Sequence, residues 1–271
     1  MEKIYKLNMA KYDLSLCLAG IRPQFWENVF QSAVGSCQRH SFELIIVSPF
    51  DLPDPLRRVQ NIRHLKDYGP PTRASQLAVN ISEGRLISFP CDDGVFLSEG
   101  NDHAIELFDR INRRKDGIVM RYREAAGMKG ETFPEEYWYA RRHLNTKELH
   151  LDNHWMIACQ PMISKDYFRE IGGVDCLAFE CMAYATHDLC YRIQRDGGVF
   201  HLSPKDVMNA DNYGETGVDH APVFFGQKEN DEKKFFSMYG SKDVKKRVKV
   251  DFHNWEKAPS VWARRWPNGI Q

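Results

Sequence analysis

The sequence predicts an α/β fold with a mostly parallel central sheet flanked by helices. Apolar runs of strand length alternate with amphipathic stretches through roughly the first 110 residues, and turn signals separate them. The chain has 271 residues, 42% of them hydrophobic, which is enough for a substantial core. Strands that alternate with helices are typical of parallel sheets, because each parallel pair needs a crossover connection.

The beginning of the chain has a β-α-β pattern. Residues 14–18 and 42–47 are apolar runs of strand length, and residues 23–37 between them are predicted to form a helix with one apolar face. The residues of that face are Phe25, Trp26, Val29, Phe30 and Val34. This pattern places a nucleotide-type half at the N-terminus.

The next elements lead to two adjacent carboxylates. Residues 59–65 predict a short strand, and Thr72 is expected to cap a helix that Gly84 closes. An apolar strand then runs into Asp92 and Asp93. Open α/β sheets bind ligands beyond the carboxyl ends of their strands, and hard divalent cations prefer oxygen ligands. A metal site is therefore one interpretation, and a simple Asp-Gly turn is the other.

The later elements are less regular. Residues 97–110 predict an amphipathic helix, and Ser164 is expected to cap a short helix that ends at two glycines. A further helix is predicted at 184–195, with strands at 154–163 and 199–202.

Composition limits the class of protein. Lys plus Arg and Asp plus Glu both number 37, so the net charge gives no electrostatic reason to expect nucleic-acid binding. Seven cysteines without a CxxC pair favour reduced thiols and a cytoplasmic location. No apolar run reaches the length of a transmembrane segment and no signal-peptide core is present, so we expect neither insertion nor secretion, although peripheral membrane contact stays open.

Residues 227–271 are predicted to be a charged, tryptophan-bearing C-terminal extension. It contains a group of closely spaced basic residues with tryptophans behind them: Lys242, Lys245, Lys246, Arg247, Lys249, Trp255, Trp262 and Trp266. Basic residues that alternate with aromatic residues can bind along a row of phosphates or on a membrane surface. The alternative is a solvated helix followed by tryptophans that pack back on the domain.

Four segments carry a resemblance to a known family. They are Leu-Ser-Leu-Cys-Leu-Ala-Gly-Ile-Arg-Pro at 14–23, Pro-Thr-Arg-Ala-Ser-Gln-Leu-Ala-Val-Asn at 71–80, Pro-Cys-Asp-Asp at 90–93, and Phe-Arg-Glu-Ile-Gly-Gly-Val-Asp at 168–175 with His-Asp-Leu-Cys-Tyr-Arg at 187–192. Their order resembles that of family 2 glycosyltransferases of the GT-A fold. The resemblance implies a GT-A domain at 1–226, with a nucleotide-binding half at about 12–110 and an acceptor half at about 111–226.

The resemblance implies inverting transfer of a sugar from a nucleoside diphosphate sugar, expected to be a UDP-sugar, to an acceptor hydroxyl. Asp92 would hold Mn²⁺ or Mg²⁺, which stabilises the departing diphosphate. His220 is the expected further metal ligand, with His201 as its competitor. Asp188 is the implied general base, and His187 is the titratable group beside it.

The residues implied to contact the nucleotide or its diphosphate are Ala19, Gly20, Arg22, Ser48, Arg73, Asp92 and Asp93. For Arg73, an ion pair with Asp67 is the alternative. The chain departs from the family pattern at three places. Pro90 replaces the first aspartate of the metal motif, residues 185–186 replace an acidic pair, and Ser48 replaces an aspartate at the end of the second strand.

Two other functions stay open. The domain could be a non-catalytic nucleotide-binding module, because the acidic pair before Asp188 is missing. It could also be a sugar transferase that acts on nucleic acid, given the basic tail and the arginine-rich residues 110–123. A glycan or lipid-linked acceptor is the default expectation.

Overall fold

A computed structural model of the chain describes residues 10–124, 131–132, 156–158, 160–210, 230–241 and 247–258. The strands, in chain order, are β1 (Tyr12–Ala19), β2 (Phe42–Ser48), β3 (Ile62–Lys66), β4 (Gly84–Ser88), β5 (Val95–Phe96), β6 (Gly117–Val119), β7 (Tyr122–Glu124), β8 (Glu131–Thr132), β9 (Pro161–Ser164), β10 (Phe200–Leu202) and β11 (Met208–Ala210). The helices are α1 (Trp26–Ser36), α2 (Pro71–Ile81), α3 (Gly100–Ile111), α4 (Lys165–Ile171), α5 (Met182–Arg195) and α6 (Glu232–Tyr239), with short 3₁₀ turns at Pro23–Phe25, Asp54–Leu56 and Phe252–Lys257.

The larger sheet has seven strands in the order β10-β6-β9-β4-β1-β2-β3. Its strands pair in parallel except at β9, which is antiparallel to both β4 and β6. Every residue of β2 is buried, as expected for a parallel strand covered on both faces. The predicted fold class, a mostly parallel sheet flanked by helices, is confirmed.

A second, smaller sheet has four strands in the order β5-β11-β7-β8. It draws its strands from the segments that follow β4, β6 and β10. The sequence does not predict this sheet, because its strands have only two or three residues each and show no clear alternation. No helix within the described part of the chain has the length and apolar character needed to cross a membrane.

The first predicted helix differs from expectation in its start and in its buried face. The segment opens with a 3₁₀ turn, and the α-helix itself begins at Trp26. Val34 was predicted to face the core, but 46% of its surface is exposed. Ala33 takes the inward position instead, one helical turn beyond Val29 and Phe30.

Thr72 is not the N-cap of α2, so that prediction was wrong. The helix begins at Pro71, whose fixed φ and missing N–H suit a first helical position. The Thr72 hydroxyl instead donates to the Phe179 carbonyl at 2.8 Å. The predicted cap at Ser164 is confirmed, because its Oγ accepts a hydrogen bond from the Tyr167 N–H at 3.4 Å.

Gly84 begins β4 and does not close α2, which ends at Ile81. A Cβ at Gly84 would lie 2.8 Å from the backbone nitrogen of Ser15 on β1. The absence of a side chain therefore lets β4 approach β1 closely at its first residue.

The described parts of the C-terminal extension pack on the rest of the molecule. Phe235 and Tyr239 of α6 are buried, and Gln76 of α2 donates to the Phe252 carbonyl at 2.9 Å. Trp255 is partly buried against the core. The interpretation in which this segment packs back on the domain is supported for these residues, whereas Trp262 and Trp266 lie outside the described residues.

Candidate functional site

The candidate site lies at the carboxyl ends of β1 and β4. The chain runs from β1 to β2 and β3 on one side, and β4 returns to the other side of β1. Such a reversal of strand order leaves a crevice between the loops that follow the two strands, and open α/β sheets bind ligands there. The loop 20–22 after β1 meets the turn 89–93 after β4 at this point.

The carboxylate of Asp92 joins these two segments. Its Oδ2 accepts hydrogen bonds from the backbone N–H groups of Ile21, at 2.7 Å, and Arg22, at 3.0 Å. Its Oδ1 accepts from Nε of Arg22, at 3.0 Å, and from Nη2 of the same guanidinium. Asp92 is only 5% exposed, so four donors hold a buried carboxylate in one orientation.

Arg22 also contacts the second carboxylate of the turn. Its Nη1 lies 2.9 Å from Oδ2 of Asp93, and both side chains are buried. The family resemblance implies a contact of Arg22 with the nucleotide, but the sequence does not predict its pairing with Asp92 and Asp93. The sequence signal that could have indicated this pairing is an arginine in the loop after β1 and two carboxylates in the turn after β4, because β4 lies next to β1 in the sheet.

The arrangement around Asp92 does not fit a divalent cation. A carboxylate offers about four lone-pair positions, and four N–H donors occupy those of Asp92. Within the described ranges, no three His, Cys, Asp or Glu side chains come together as a metal site. His201 lies 3.0 Å from Asp116, and His220 is outside the described residues, so the roles of both in metal binding stay predictions.

Ala19, Gly20 and Ser48 lie at the ends of β1 and β2, as predicted. The Gly20 N–H donates to the Val47 carbonyl at 3.1 Å, and a Cβ at Gly20 would lie 2.7 Å from Nε1 of Trp26. The buried Ser48 hydroxyl accepts from the Phe50 N–H at 3.1 Å. Their contact with a nucleotide stays a prediction.

Arg73 forms the ion pair that was its alternative role. Its Nε lies 3.0 Å from Oδ1 of Asp67, and its Nη1 donates to the Trp255 carbonyl at 2.7 Å. The guanidinium also lies 5.2 Å from the centroid of the Trp255 ring. Arg73 therefore anchors the C-terminal segment to α2.

Asp188 is fully buried at the centre of a second cluster. Its Oδ2 accepts from Nε of Arg192 at 2.8 Å, one helical turn along α5. Its Oδ1 accepts from the Tyr239 hydroxyl at 2.9 Å and from Nε of Arg247 at 3.1 Å. Burial raises the pKa of this carboxyl, but Arg192 and Arg247 outweigh that effect, so the pKa lies below its ordinary value.

The same cluster binds the glycine-rich segment to α5. Nη1 of Arg192 donates to the Ile171 carbonyl at 3.0 Å, and its Nη2 donates to the Gly173 carbonyl. Arg247 adds a 2.5 Å contact to Asp175. The two parts of the fourth segment of the family resemblance, 168–175 and 187–192, thus form one hydrogen-bonded unit around Asp188.

His187 is buried among aromatic rings. Its imidazole makes edge contacts with Tyr184, at 5.7 Å between centroids, and with Phe235, at 6.3 Å. The catalytic roles of His187 and Asp188 stay predictions.

Asp231 is a buried carboxylate that the sequence analysis did not single out. It accepts from the Glu180 N–H at 3.0 Å and from the Cys181 N–H at 2.7 Å, directly before α5. Burial raises the pKa of Asp231 to about 6, although these two N–H groups oppose the shift. No motif signals this residue, because its partners lie about 50 positions earlier in the chain.

The raised pKa of Asp231 predicts a specific pH dependence of stability. The folded protein keeps the Asp231 proton up to about pH 6, while the unfolded chain loses it near 3.8. The contribution of Asp231 to stability therefore falls as pH rises through this window. Asp231→Asn keeps an acceptor oxygen but cannot titrate. We expect the urea midpoint of the variant, relative to the original protein, to rise between about pH 4 and about pH 6, and a constant difference would contradict the shift.

Comparison with known proteins supports the fold. No protein-family model and no curated protein matches the chain. The crystal structure of S. aureus TarS has a TM-score of 0.53 and 12% identity, covering 82% of this chain and 41% of that one, so this chain spans less than half its length. TarS 1–349 in complex with UDP has a TM-score of 0.52 and 13% identity, with 82% and 68% coverage. TarS 1–349 alone has a TM-score of 0.53 and 12% identity, with 96% and 75% coverage. The chain therefore shares the fold of these structures.

Proposed function

We propose that this protein is an inverting glycosyltransferase that moves a sugar from a nucleoside diphosphate sugar, preferably a UDP-sugar, to an acceptor hydroxyl. One observation carries the proposal. The loop after β1 and the turn after β4 meet at the reversal of strand order, through Asp92 and Arg22. The fold is also similar to that of TarS 1–349, which was crystallised with UDP.

The proposed reaction forms one bond and breaks one. The acceptor oxygen attacks the anomeric carbon, the bond from that carbon to the diphosphate oxygen breaks, and the acceptor proton passes to a base. The departing diphosphate gains negative charge, which a fixed positive charge stabilises. Arg22 is the buried cation at the crevice. Asp188 is the base that the resemblance implies, but it is fully buried and Arg192, Arg247 and Tyr239 already donate four hydrogen bonds to its two oxygens, so it could take the acceptor proton only if one of these contacts opened.

The proposed acceptor is a glycan or a lipid-linked hydroxyl. Two members of the basic tail already have acidic partners, since Arg247 binds Asp175 and Asp188 and Lys249 lies 3.5 Å from Glu170. Basic groups that are paired within the protein release few counterions on binding DNA or RNA. For Arg247 and Lys249, these contacts weaken the nucleic-acid alternative.

Titration calorimetry with UDP and a hydrolysis assay with a panel of UDP-sugars test the proposal. We expect UDP to bind and one donor to be hydrolysed slowly without an acceptor. A saturating ligand also stabilises the folded state, by about 2.7 kcal/mol at 100 times its Kd. UDP binding without hydrolysis or transfer would favour the non-catalytic module, and no binding of any nucleoside diphosphate would overturn both functions.

A further inference from the structure

We infer that Arg22 takes the place of a divalent cation beside Asp92 and Asp93, so that the protein binds a nucleoside diphosphate without a metal ion. This inference rests on the proposed function, because it concerns the same crevice. It differs from the expectation of Mn²⁺ or Mg²⁺ that the sequence resemblance carries.

The geometry of Asp92 is the first step. A cation would need an oxygen lone pair of this carboxylate, and the four N–H donors around it leave none. Two of these donors are backbone groups of the loop after β1, so they cannot turn away unless that loop moves. A cation could enter only by displacing the guanidinium of Arg22.

The cost of that displacement is the second step. The side chains of Arg22, Asp92 and Asp93 are all less than a tenth exposed. Charge-assisted hydrogen bonds are the strong ones in proteins, and a buried guanidinium without its partners is strongly destabilising. The folded protein therefore favours Arg22 over a hydrated ion at this position.

The chemistry of the guanidinium is the third step. It is always charged, and its planar fork matches carboxylate and phosphate oxygens. In Arg22, Nε and Nη2 bind Asp92 while Nη1 binds Asp93, so all three nitrogens of the group are held between the two carboxylates. Arg22 places a permanent positive charge between the two carboxylates, where a divalent cation would otherwise lie, and the three side chains together keep a net charge of −1.

The test compares UDP affinity in EDTA with that in excess MnCl₂, for the original protein and for Arg22→Met. We expect the original protein to bind UDP equally under both conditions. Arg22→Met should lose about tenfold or more of its affinity in EDTA, equivalent to about 1.4 kcal/mol. Its two uncovered carboxylates should also gain a Mn²⁺ site, seen as a Mn²⁺-dependent rise in Tm that the original protein lacks.

Arg85→Met is the matched control, because Arg85 also bridges two aspartates, Asp13 and Asp109, but lies partly exposed at the other end of β4. It should bind UDP and respond to Mn²⁺ as the original protein does. If Arg22→Met does not fold, the same measurements on Arg22→Lys, and the comparison of UDP affinity in EDTA and in MnCl₂ for the unaltered protein, still test the inference.

UDP binding that requires Mn²⁺ in the original protein would overturn the inference and leave the proposed function standing. A Mn²⁺-dependent rise in Tm of the original protein that Asp92→Asn abolishes would also overturn it. Absence of UDP binding under both conditions would overturn the proposed function and the inference together.

Discussion

Replacing Asp188 by asparagine is expected to lower the free energy of unfolding by about 3–5 kcal/mol. The carboxylate is fully buried and pairs with Arg192 and Arg247, while the Tyr239 hydroxyl donates to it. Asparagine would leave the buried Arg192 guanidinium without the carboxylate that pairs with it and Arg247 with Asp175 alone, and it would turn an NH₂ group toward one of the two guanidinium groups. Urea denaturation followed by circular dichroism measures the loss.

Asp109→Asn is the control for this change. Asp109 also pairs with an arginine, Arg85, but both side chains are more than a third exposed. Solvent screens such pairs, so we expect a loss of at most about 1 kcal/mol. An Asp188→Asn protein that keeps its full stability and loses transfer alone would contradict the structural role and favour the catalytic one.

The lowered pKa of Asp188 sets the pH range of this effect. A carboxyl whose folded-state pKa is depressed contributes stability above its unfolded pKa, near 3.8, and that contribution is lost as pH falls through the lower folded value. The difference between Asp188→Asn and the original protein should therefore be constant at neutral pH and shrink only in strong acid. A difference that changes between about pH 5 and about pH 8 would contradict the pKa shift.

Gly172→Ala is expected to destabilise the protein by about 2–5 kcal/mol and to loosen the C-terminal segment 247–258. Gly172 ends α4 with φ 93°, where an L side chain is strained, and its added Cβ would fall on the carbonyl oxygen of Val250. That carbonyl belongs to the backbone, so relief requires the segment to move. Urea denaturation and limited proteolysis within 247–258 measure the two effects.

Gly197→Ala is the control that separates backbone strain from steric overlap with Val250. Gly197 has a similar φ of 85° after α5, but a Cβ there would meet nothing within 4 Å. We expect it to lose only the backbone strain, about 1–2 kcal/mol, with no change in proteolysis of 247–258. Equal losses in both variants would show that the contact with Val250 does not hold the segment.

The sequence predicted which segments end at the edge of the sheet where the candidate site lies, but not how their side chains pair. The alternation of strands and helices placed Gly20, Arg22 and Asp92 at strand ends, and parallel strands bring such ends to one edge of a sheet. The pairing of Arg22 with Asp92 could not be predicted, because it depends on β4 lying beside β1. Strand order is a property of the whole sheet.

The local predictions that failed did so where a distant contact outweighs a local preference. Thr72 has a side chain suited to capping a helix, but the Phe179 carbonyl, 107 residues away, accepts its hydroxyl proton. The sequence predicts that Gly84 ends a helix, whereas in the structure its lack of a side chain allows β4 to approach β1 closely. Ser164 followed its local pattern because its partner, Tyr167, is three residues away.

The sequence by itself determined the fold class, the strand-end positions of the candidate residues and the capping of α4, because these follow from periodicity and neighbours along the chain. Only the tertiary structure decided that Arg22 covers Asp92 and that Arg247, 59 residues beyond Asp188, completes its ion pairs. Buried charges must find opposite charges wherever the fold brings them, and their energy depends on distance in space, which spacing along the chain does not encode.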